Sequence, residues 1–245
     1  MQNVVIFIVG LAAGFLSATV GGGGMLAIPA LLSLGFSPQS AVAVNAVGDM
    51  GAFMSATTQY WKSKKIDWNM AIPLAVIAII GSIIGTQILV RLDTSFLKAF
   101  IGIMISAFLP FFFFSGKNLG LKQTHPSKTS KLIGFVLYAL LVVEGAIGGA
   151  GGSTVVLLIM MYFFGYEIVR GYATNTPADL LSSIIPAIVY SFYGFVELWP
   201  AVTLFAGMLI GGFVGANTAI AKGNRWTKSL FSLVIAAFVI KILFF

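Results

Sequence analysis

The chain has 245 residues, of which 59% are hydrophobic and only 9% charged, and its mean hydropathy is +1.02; a soluble domain carries roughly a quarter charged residues, so an ordinary soluble fold is excluded. Cysteine is absent and histidine occurs once, as His125 in a polar stretch, which excludes disulfides, thiolate or histidine-cluster metal sites and thiol nucleophiles. The formal charge of +7 would suggest nucleic acid for a soluble protein, but here the Lys and Arg residues sit in short connections between apolar runs, where they orient a membrane protein.

Apolar stretches of roughly 17–25 residues recur along the chain, long enough to cross a bilayer core of about 30 Å as helices, whereas the ~10-residue alternating segments of a strand barrel are missing. The expected class is an all-α polytopic membrane protein. In chain order, the segment 3–35 is apolar but interrupted by Gly21, Gly22, Gly23 and Gly24, and spans follow at 41–61, 69–90 and 96–114. A polar connection occupies 115–131. The segment 132–165 is again interrupted, by Gly148, Gly149, Gly151 and Gly152, and spans follow at 172–193, 199–220 and 228–245. Residues 1–20 lack a basic leader and their apolar run continues past any plausible cleavage point, so no cleavable signal peptide is expected.

The two halves share one order of features. Each has an apolar helix running into a Gly cluster, then a short segment ending at Gly35 or Gly165, then Asn45 or Asn175 followed four residues on by Asp49 or Asp179, then Trp68 or Trp199 opening the next helix. An internal duplication is expected, with a first membrane repeat at 1–114, a cytoplasmic connection at 115–131 and a second repeat at 132–245. Such repeats are a common plan for secondary transporters.

Charge indicates how the repeats lie. If each interrupted segment crosses the membrane once, the Lys and Arg residues divide eight against six; if each is a Gly-broken hairpin that returns to its starting side, they divide eleven against three. The second split is what a positive-inside bias predicts. It makes the halves inverted, each a broken hairpin plus three transmembrane helices, with both termini outside. The cost of this arrangement is that 3–20 is long for a hairpin arm and has to tilt steeply.

Four consecutive glycines each cost about 1 kcal/mol of helix stability relative to Ala, so the helix breaks there. Irregular backbone at membrane depth survives only where protein or a water-filled cavity covers it. The segments that restart at Met25 and Ser153 present free N–H groups and positive dipole ends toward the breaks, as anion-binding helix ends do. The bland alternative, close packing of small residues, suits the scattered glycines such as Gly81, Gly85 and Gly207 better. On this basis Gly22→Leu and Gly151→Leu are expected to abolish function and Gly85→Ala to be mild.

Asp49, Glu144 and Asp179 lie inside apolar runs, and an acid at mid-membrane is expensive unless paired, solvated or protonated. The Asn-x-x-x-Asp spacing sets both side chains on one helix face, one turn apart. Buried hydrogen bonding between helices is the structural alternative. Duplication favours a central polar site, in which a carboxylate carries protons rather than grips an anion. Glu144 stands one turn before Gly148, where the first half has Ser17. Arg170 reads as an interfacial anchor near the mouth of the site, and Lys62, Lys64 and Lys65 as a solvated loop.

On these residues the chain resembles the TauE/SafE sulfite exporter family, also described as toluene sulfonate uptake permease-like. The resemblance rests on GFLSATVGGGGMLAIPALLSLGFSPQSAVAVNA (14–46), KKIDWNMAIPLAVIAIIGSIIGTQIL (64–89) and EGAIGGAGGSTVVLLIMMYFFGYEIVRGYATN (144–175), and covers nearly the whole chain. One departure is Ser17, where relatives with the unbroken four-Gly run often carry an acid. The resemblance implies a bacterial-type inner-membrane transporter of sulfite, sulfonates or related organosulfur anions, driven by the proton gradient.

The expected site therefore comprises Gly21, Gly22, Gly23, Gly24, Asn45, Gly148, Gly149, Gly151, Gly152, Ser153 and Asn175 for substrate, with Asp49, Asp179 and Glu144 for protons. Lipid bilayer, protons and a small sulfur-containing anion are the expected partners, without nucleic acid, metal or cofactor. An uncoupled anion channel is the alternative reading. An intramembrane hydrolase would need a positioned Ser–His pair or a metal set, and a membrane scaffold would have no use for duplicated buried acids.

Overall fold

The computed structural model describes residues 2–97, 99–100, 119–148 and 152–244, with side chains as far as residue 234. Its described helices are α1 (Gln2–Val20), α2 (Gly23–Ser33), α3 (Pro38–Lys62), α4 (Trp68–Leu89), α5 (Lys128–Gly148), α6 (Gly152–Tyr162), α7 (Ile168–Phe192) and α8 (Leu198–Phe244). A further helix begins at 94, and most of the span expected at 96–114 lies outside the described residues. The expected spans 199–220 and 228–245 form one element, α8, broken at Gly223 (φ 74°, ψ −170°).

Local chemistry explains the boundaries. Ser37 caps α3 by accepting the Ser40 N–H at 3.1 Å, with Pro38 at the first helical position, where its missing N–H costs nothing. Asp67 caps α4 through the Asn69 N–H at 3.2 Å. Among the described residues, four helices are long and apolar enough to cross a membrane: α1, α4, α5 and the Leu198–Val234 part of α8. Their outer faces carry exposed aliphatics such as Ile8, Ile72, Leu140 and Ile210, the surface a lipid-facing helix shows. By contrast α3 and α7 hold Asn45, Asp49, Asn175 and Asp179 and are buried along most of their length. They pack on one another at the centre, with α1 and α8 around α3, α4 beside α7, and α5 against α4.

Close glycine contacts give the helix directions. A β-carbon on Gly10 would meet Leu204 and Gly207, one on Gly211 would meet Leu11 and Phe15, and one on Gly215 would meet Phe15 and Ala18. Contacts advance together along both helices, so α1 runs parallel to α8. In the same way Gly48, Gly51 and Gly212 make α3 parallel to α8, while Gly81 against Val142 and Gly85 against Ala146 make α5 parallel to α4. Only the short turn 63–67 separates α3 from α4, so these two are antiparallel. The first helix of each half therefore packs on a helix of the other half, α1 on α8 and α5 on α4, and the two first helices point in opposite senses.

Each interrupted segment folds back at its glycines. A β-carbon on Gly23 would lie 2.5 Å from the Ala13 carbonyl oxygen, and one on Gly152 would lie 3.5 Å from that of Leu141. The short helices α2 and α6, each 11 residues and so about 16 Å long, thus return along α1 and α5. The long arm of the first hairpin, α1, packs on α8 along its length.

Candidate functional site

The first break is a chain reversal at Gly21 and Gly22. Gly21 has φ +78° and donates its N–H to the Leu16 carbonyl at 3.0 Å, a left-handed conformation in which a side chain is strained. It also lies against the other break: a β-carbon there would sit 2.7 Å from the carbonyl carbon and oxygen of Ser153. The first break thus meets the second residue of α6. Gly22 has more room, with Val234 Cγ1 at 3.5 Å and Thr154 Oγ1 at 3.7 Å from its β position. Gly23 instead packs α2 onto Ala13 and Ser17 of α1, and Gly24 and Gly148 are buried at the helix ends. Gly149 and Gly151 lie outside the described residues.

Asp49 sits where the chemistry of both halves converges. Its two carboxylate oxygens accept from Ser17 Oγ at 3.1 Å and Asn45 Nδ2 at 2.7 Å. The Asn-x-x-x-Asp spacing thus yields an actual hydrogen bond one turn apart in α3, and Ser17 ties α1 to it. The equivalent pair in α7 is less satisfied. Asp179 Oδ2 and both side-chain atoms of Asn175 are buried without a hydrogen-bond partner. A buried polar group left unpaired costs on the order of 1–3 kcal/mol, so such groups call for a water, an ion or a function.

Beside them lies a small cavity lined by Asp49, Asp179, Tyr138, Gly152 and Ser153 among others. It brings one acid from each half together with the first two residues of α6. A second small cavity shares Asp49 and Gly145 with it and continues past Asn45 to Ser182, Ser183 and Tyr190. Asn175 lines neither. Glu144 is placed against the start of α6: its Oε2 lies 2.9 Å from the β position of Gly152, and both carboxylate oxygens are buried without a partner.

The tyrosines are the residues that sequence reasoning passed over. Tyr60 donates to the Ala18 carbonyl at 2.9 Å, and Tyr190 donates to that of Ala146. Each therefore ties the far end of α3 or α7 to the last turn before a break. Asn45 and Asn175 each precede these tyrosines by fifteen residues, a seventh matched feature that was there to be read. Tyr138 lines the larger cavity, and Tyr172 packs edge-on against Tyr60 with ring centroids 6.2 Å apart.

Polar contacts tie the two halves together around Asp67. Asp67 accepts a hydrogen bond from the Tyr166 hydroxyl at 2.9 Å and faces Arg170 at 3.6 Å, while its own N–H donates to Thr174 Oγ1 at 3.1 Å. Arg170 also lies over the Tyr166 ring at 5.9 Å and donates to Gln123 Oε1 at 3.4 Å. Burial and the neighbouring Asp67 carboxylate hold the Tyr166 phenol above its usual range. Arg170 is thus an inter-segment clamp rather than a lone interfacial anchor.

The chain was compared with known proteins. The family model described as sulfite exporter TauE/SafE matches residues 6–242. A "probable membrane transporter protein ORF9" of Sinorhizobium is 26% identical, over 97% of this chain and 91% of the relative. Relatives described as probable membrane transporter proteins in Haemophilus influenzae and, as YfcA, in Escherichia coli K12 are each 24% identical over 96% and 98% of this chain, and over 91% and 89% of their own lengths. No solved structure matches significantly. With a family match over almost its whole length and a helical architecture of the kind described above, the chain belongs to the sulfite exporter TauE/SafE family and is a multi-pass membrane transporter.

Proposed function

We propose that this transporter moves small sulfur-containing anions, such as sulfite or sulfonates, across the bacterial cytoplasmic membrane in exchange with or together with protons. The observation that carries the reading is the shared cavity of Asp49, Asp179, Gly152 and Ser153 beside the contact of Gly21 with Ser153. The start of α6 offers backbone N–H groups and a positive dipole end to an anion's oxygens. Ser153 adds a neutral donor there, and Asn45 adds one from the adjoining cavity.

Glu144 gives the site a way to couple anion and proton. Ionised, it sets a negative charge against the end of α6 that an anion needs; protonated, it releases that end. Asp49 and Asp179 act as the carriers on either side, neutral when facing one compartment and ionised when facing the other. Opposed helix directions of α1 and α5, together with the eleven-to-three division of basic residues, support two inverted repeats at 1–114 and 132–245, joined by a cytoplasmic connection at 115–131. Alternating access then amounts to rocking one repeat against the other about a fixed centre. The Asp67–Tyr166–Arg170 clamp closes the cytoplasmic side, and the termini lie outside.

Purified protein in liposomes, screened with labelled sulfite, thiosulfate, sulfate and small sulfonates, tests the substrate class. Saturable uptake of a sulfur-containing anion is expected. Transport confined to anions without sulfur, or to cations, would overturn the assignment.

A further inference from the structure

The turn between α3 and α4 differs from its counterpart between α7 and α8 in a way that transport does not require. Both turns have the same backbone. Lys65 donates its N–H to the Tyr60 carbonyl and Phe195 to that of Tyr190, each at 3.0 Å, while Lys64 and Gly194 close the inner bonds to Trp61 and Ser191 at 2.9 and 3.1 Å. The residue at the inner position is left-handed in both, with φ 57° at Lys64 and 73° at Gly194. Glycine takes that conformation freely, whereas lysine is strained in it. Lys64 is the only residue other than glycine with positive φ among those described. A strained side chain kept where glycine would serve points to a use for the side chain.

That side chain lines an open pocket of about 700 Å³ formed by Trp61, Lys62, Lys64, Ile66 and Trp68. Trp61 and Trp68 are 64% and 45% exposed, and neither the Lys62 nor the Lys64 ammonium has a partner among the described residues. The nearby carboxylate of Asp67 is already engaged by Tyr166 and Arg170. From Trp68 an exposed apolar stripe continues down α4 at four-residue intervals, through Ile72, Val76 and Ile80. Four-residue spacing keeps these on one helix face. Trp68 to Ile80 covers about 18 Å, close to the roughly 15 Å depth of one lipid leaflet. The matching turn on α7 and α8 exposes Phe192 and Tyr193 and carries no lysine.

We infer that the α3–α4 turn is a binding site for one anionic glycerophospholipid. Its phosphodiester sits between the Lys62 and Lys64 ammonium groups, its glycerol region lies between the two indoles, and one acyl chain runs along the α4 stripe. Two ammonium groups beside an aliphatic track select a lipid that is both anionic and membrane-embedded, which a free phosphate ion is not. Since Asp67 anchors both this turn and the clamp onto Tyr166 and Arg170, an occupied site also braces that end of the transporter.

Native mass spectrometry of the full-length protein, released from micelles containing equal phosphatidylglycerol and phosphatidylcholine, tests the site. Wild type is expected to retain one phosphatidylglycerol with roughly tenfold preference. A Lys62→Gln, Lys64→Gly double variant is expected to lose most of that preference, and its melting midpoint in phosphatidylcholine should not fall, because glycine relieves the strained φ. Lys122→Gln should leave the preference unchanged. Equal retention of both lipids by wild type, or an unchanged preference in the double variant, would overturn the proposal. So would displacement of the lipid by millimolar inorganic phosphate, which would make this an anion site rather than a lipid site.

Discussion

Gly21 and Ser153 touch across the centre of the protein: a β-carbon on the glycine would come within 2.7 Å of the Ser153 carbonyl. This contact joins the first helix break to the second residue of α6, and it has no slack. Gly21→Ala combines that clash with a left-handed φ of +78°. Transport by Gly21→Ala should fall at least about tenfold, equivalent to roughly 1.4 kcal/mol in the barrier, with membrane insertion retained. Gly35 separates the two effects, since its φ is +92° but nothing lies within 4 Å of its β position. Gly35→Ala should cost about 1 kcal/mol of stability and leave the transport rate near wild type. Gly22→Ala, with only ordinary contacts around it, should also be tolerated. Initial rates of anion uptake in liposomes distinguish the three.

Gly85→Ala is expected from sequence to be mild, and the structure reverses this. Its β position lies 2.5 Å from the Val143 carbonyl oxygen and 2.6 Å from Ala146 Cβ, so α5 must shift away from α4. Overpacking of this kind costs about 1–3 kcal/mol, and the thermal midpoint in detergent should drop accordingly. Because α5 carries Glu144 and Tyr138, the variant should lose affinity for substrate as well as stability.

The membrane class, the broken helices and the pairing of Asn45 with Asp49 were legible because each rests on composition or short-range spacing. Hydropathy finds spans, consecutive glycines break helices, and four residues make one turn. Which glycines face the site was not legible. Gly21 and Gly23 are two residues apart, yet one meets Ser153 of α6 and the other packs α2 onto α1, a distinction set by the reversal angle. The course of α1 along α8 was also hidden, because it depends on small residues some two hundred positions apart, such as Gly10 and Gly207. Tyr60 and Tyr190 were readable as a matched pair but fell outside a search for charged or polar groups in apolar runs.

The clamp on Asp67 combines a charge-assisted hydrogen bond from the Tyr166 hydroxyl with a half-exposed ion pair. The Asp67 and Arg170 side chains are 25% and 44% exposed, so solvent screens their attraction to within about 1 kcal/mol. Tyr166→Phe removes a better-buried bond and should destabilise by about 1 kcal/mol. A double-mutant cycle of Asp67→Asn with Tyr166→Phe, read by unfolding in detergent, should give a larger coupling than Asp67→Asn with Arg170→Gln.

Inverted repeats predict which loops face which side. Single cysteines replacing Lys64, Lys122, Arg170 and Arg225 should label from the cytoplasm, and those replacing Asp93 and Glu197 from outside. The native chain has no cysteine, so each label reports one site. Labelling of the Lys122 and Arg170 positions from opposite sides would contradict the arrangement.

The most direct measurement is anion accumulation in proteoliposomes under an imposed pH gradient, compared with anion exchange in the same vesicles at equal pH. Asp49→Asn keeps a side chain of the same size beside Ser17 and Asn45 but cannot titrate, and Asp179→Asn does the same in α7. Both variants are expected to exchange anion across the membrane yet fail to concentrate it when the pH gradient is the sole driving force. Wild-type protein should concentrate it. If both variants still accumulate anion under the pH gradient alone, Asp49 and Asp179 are structural and the coupling proposed for this site is wrong.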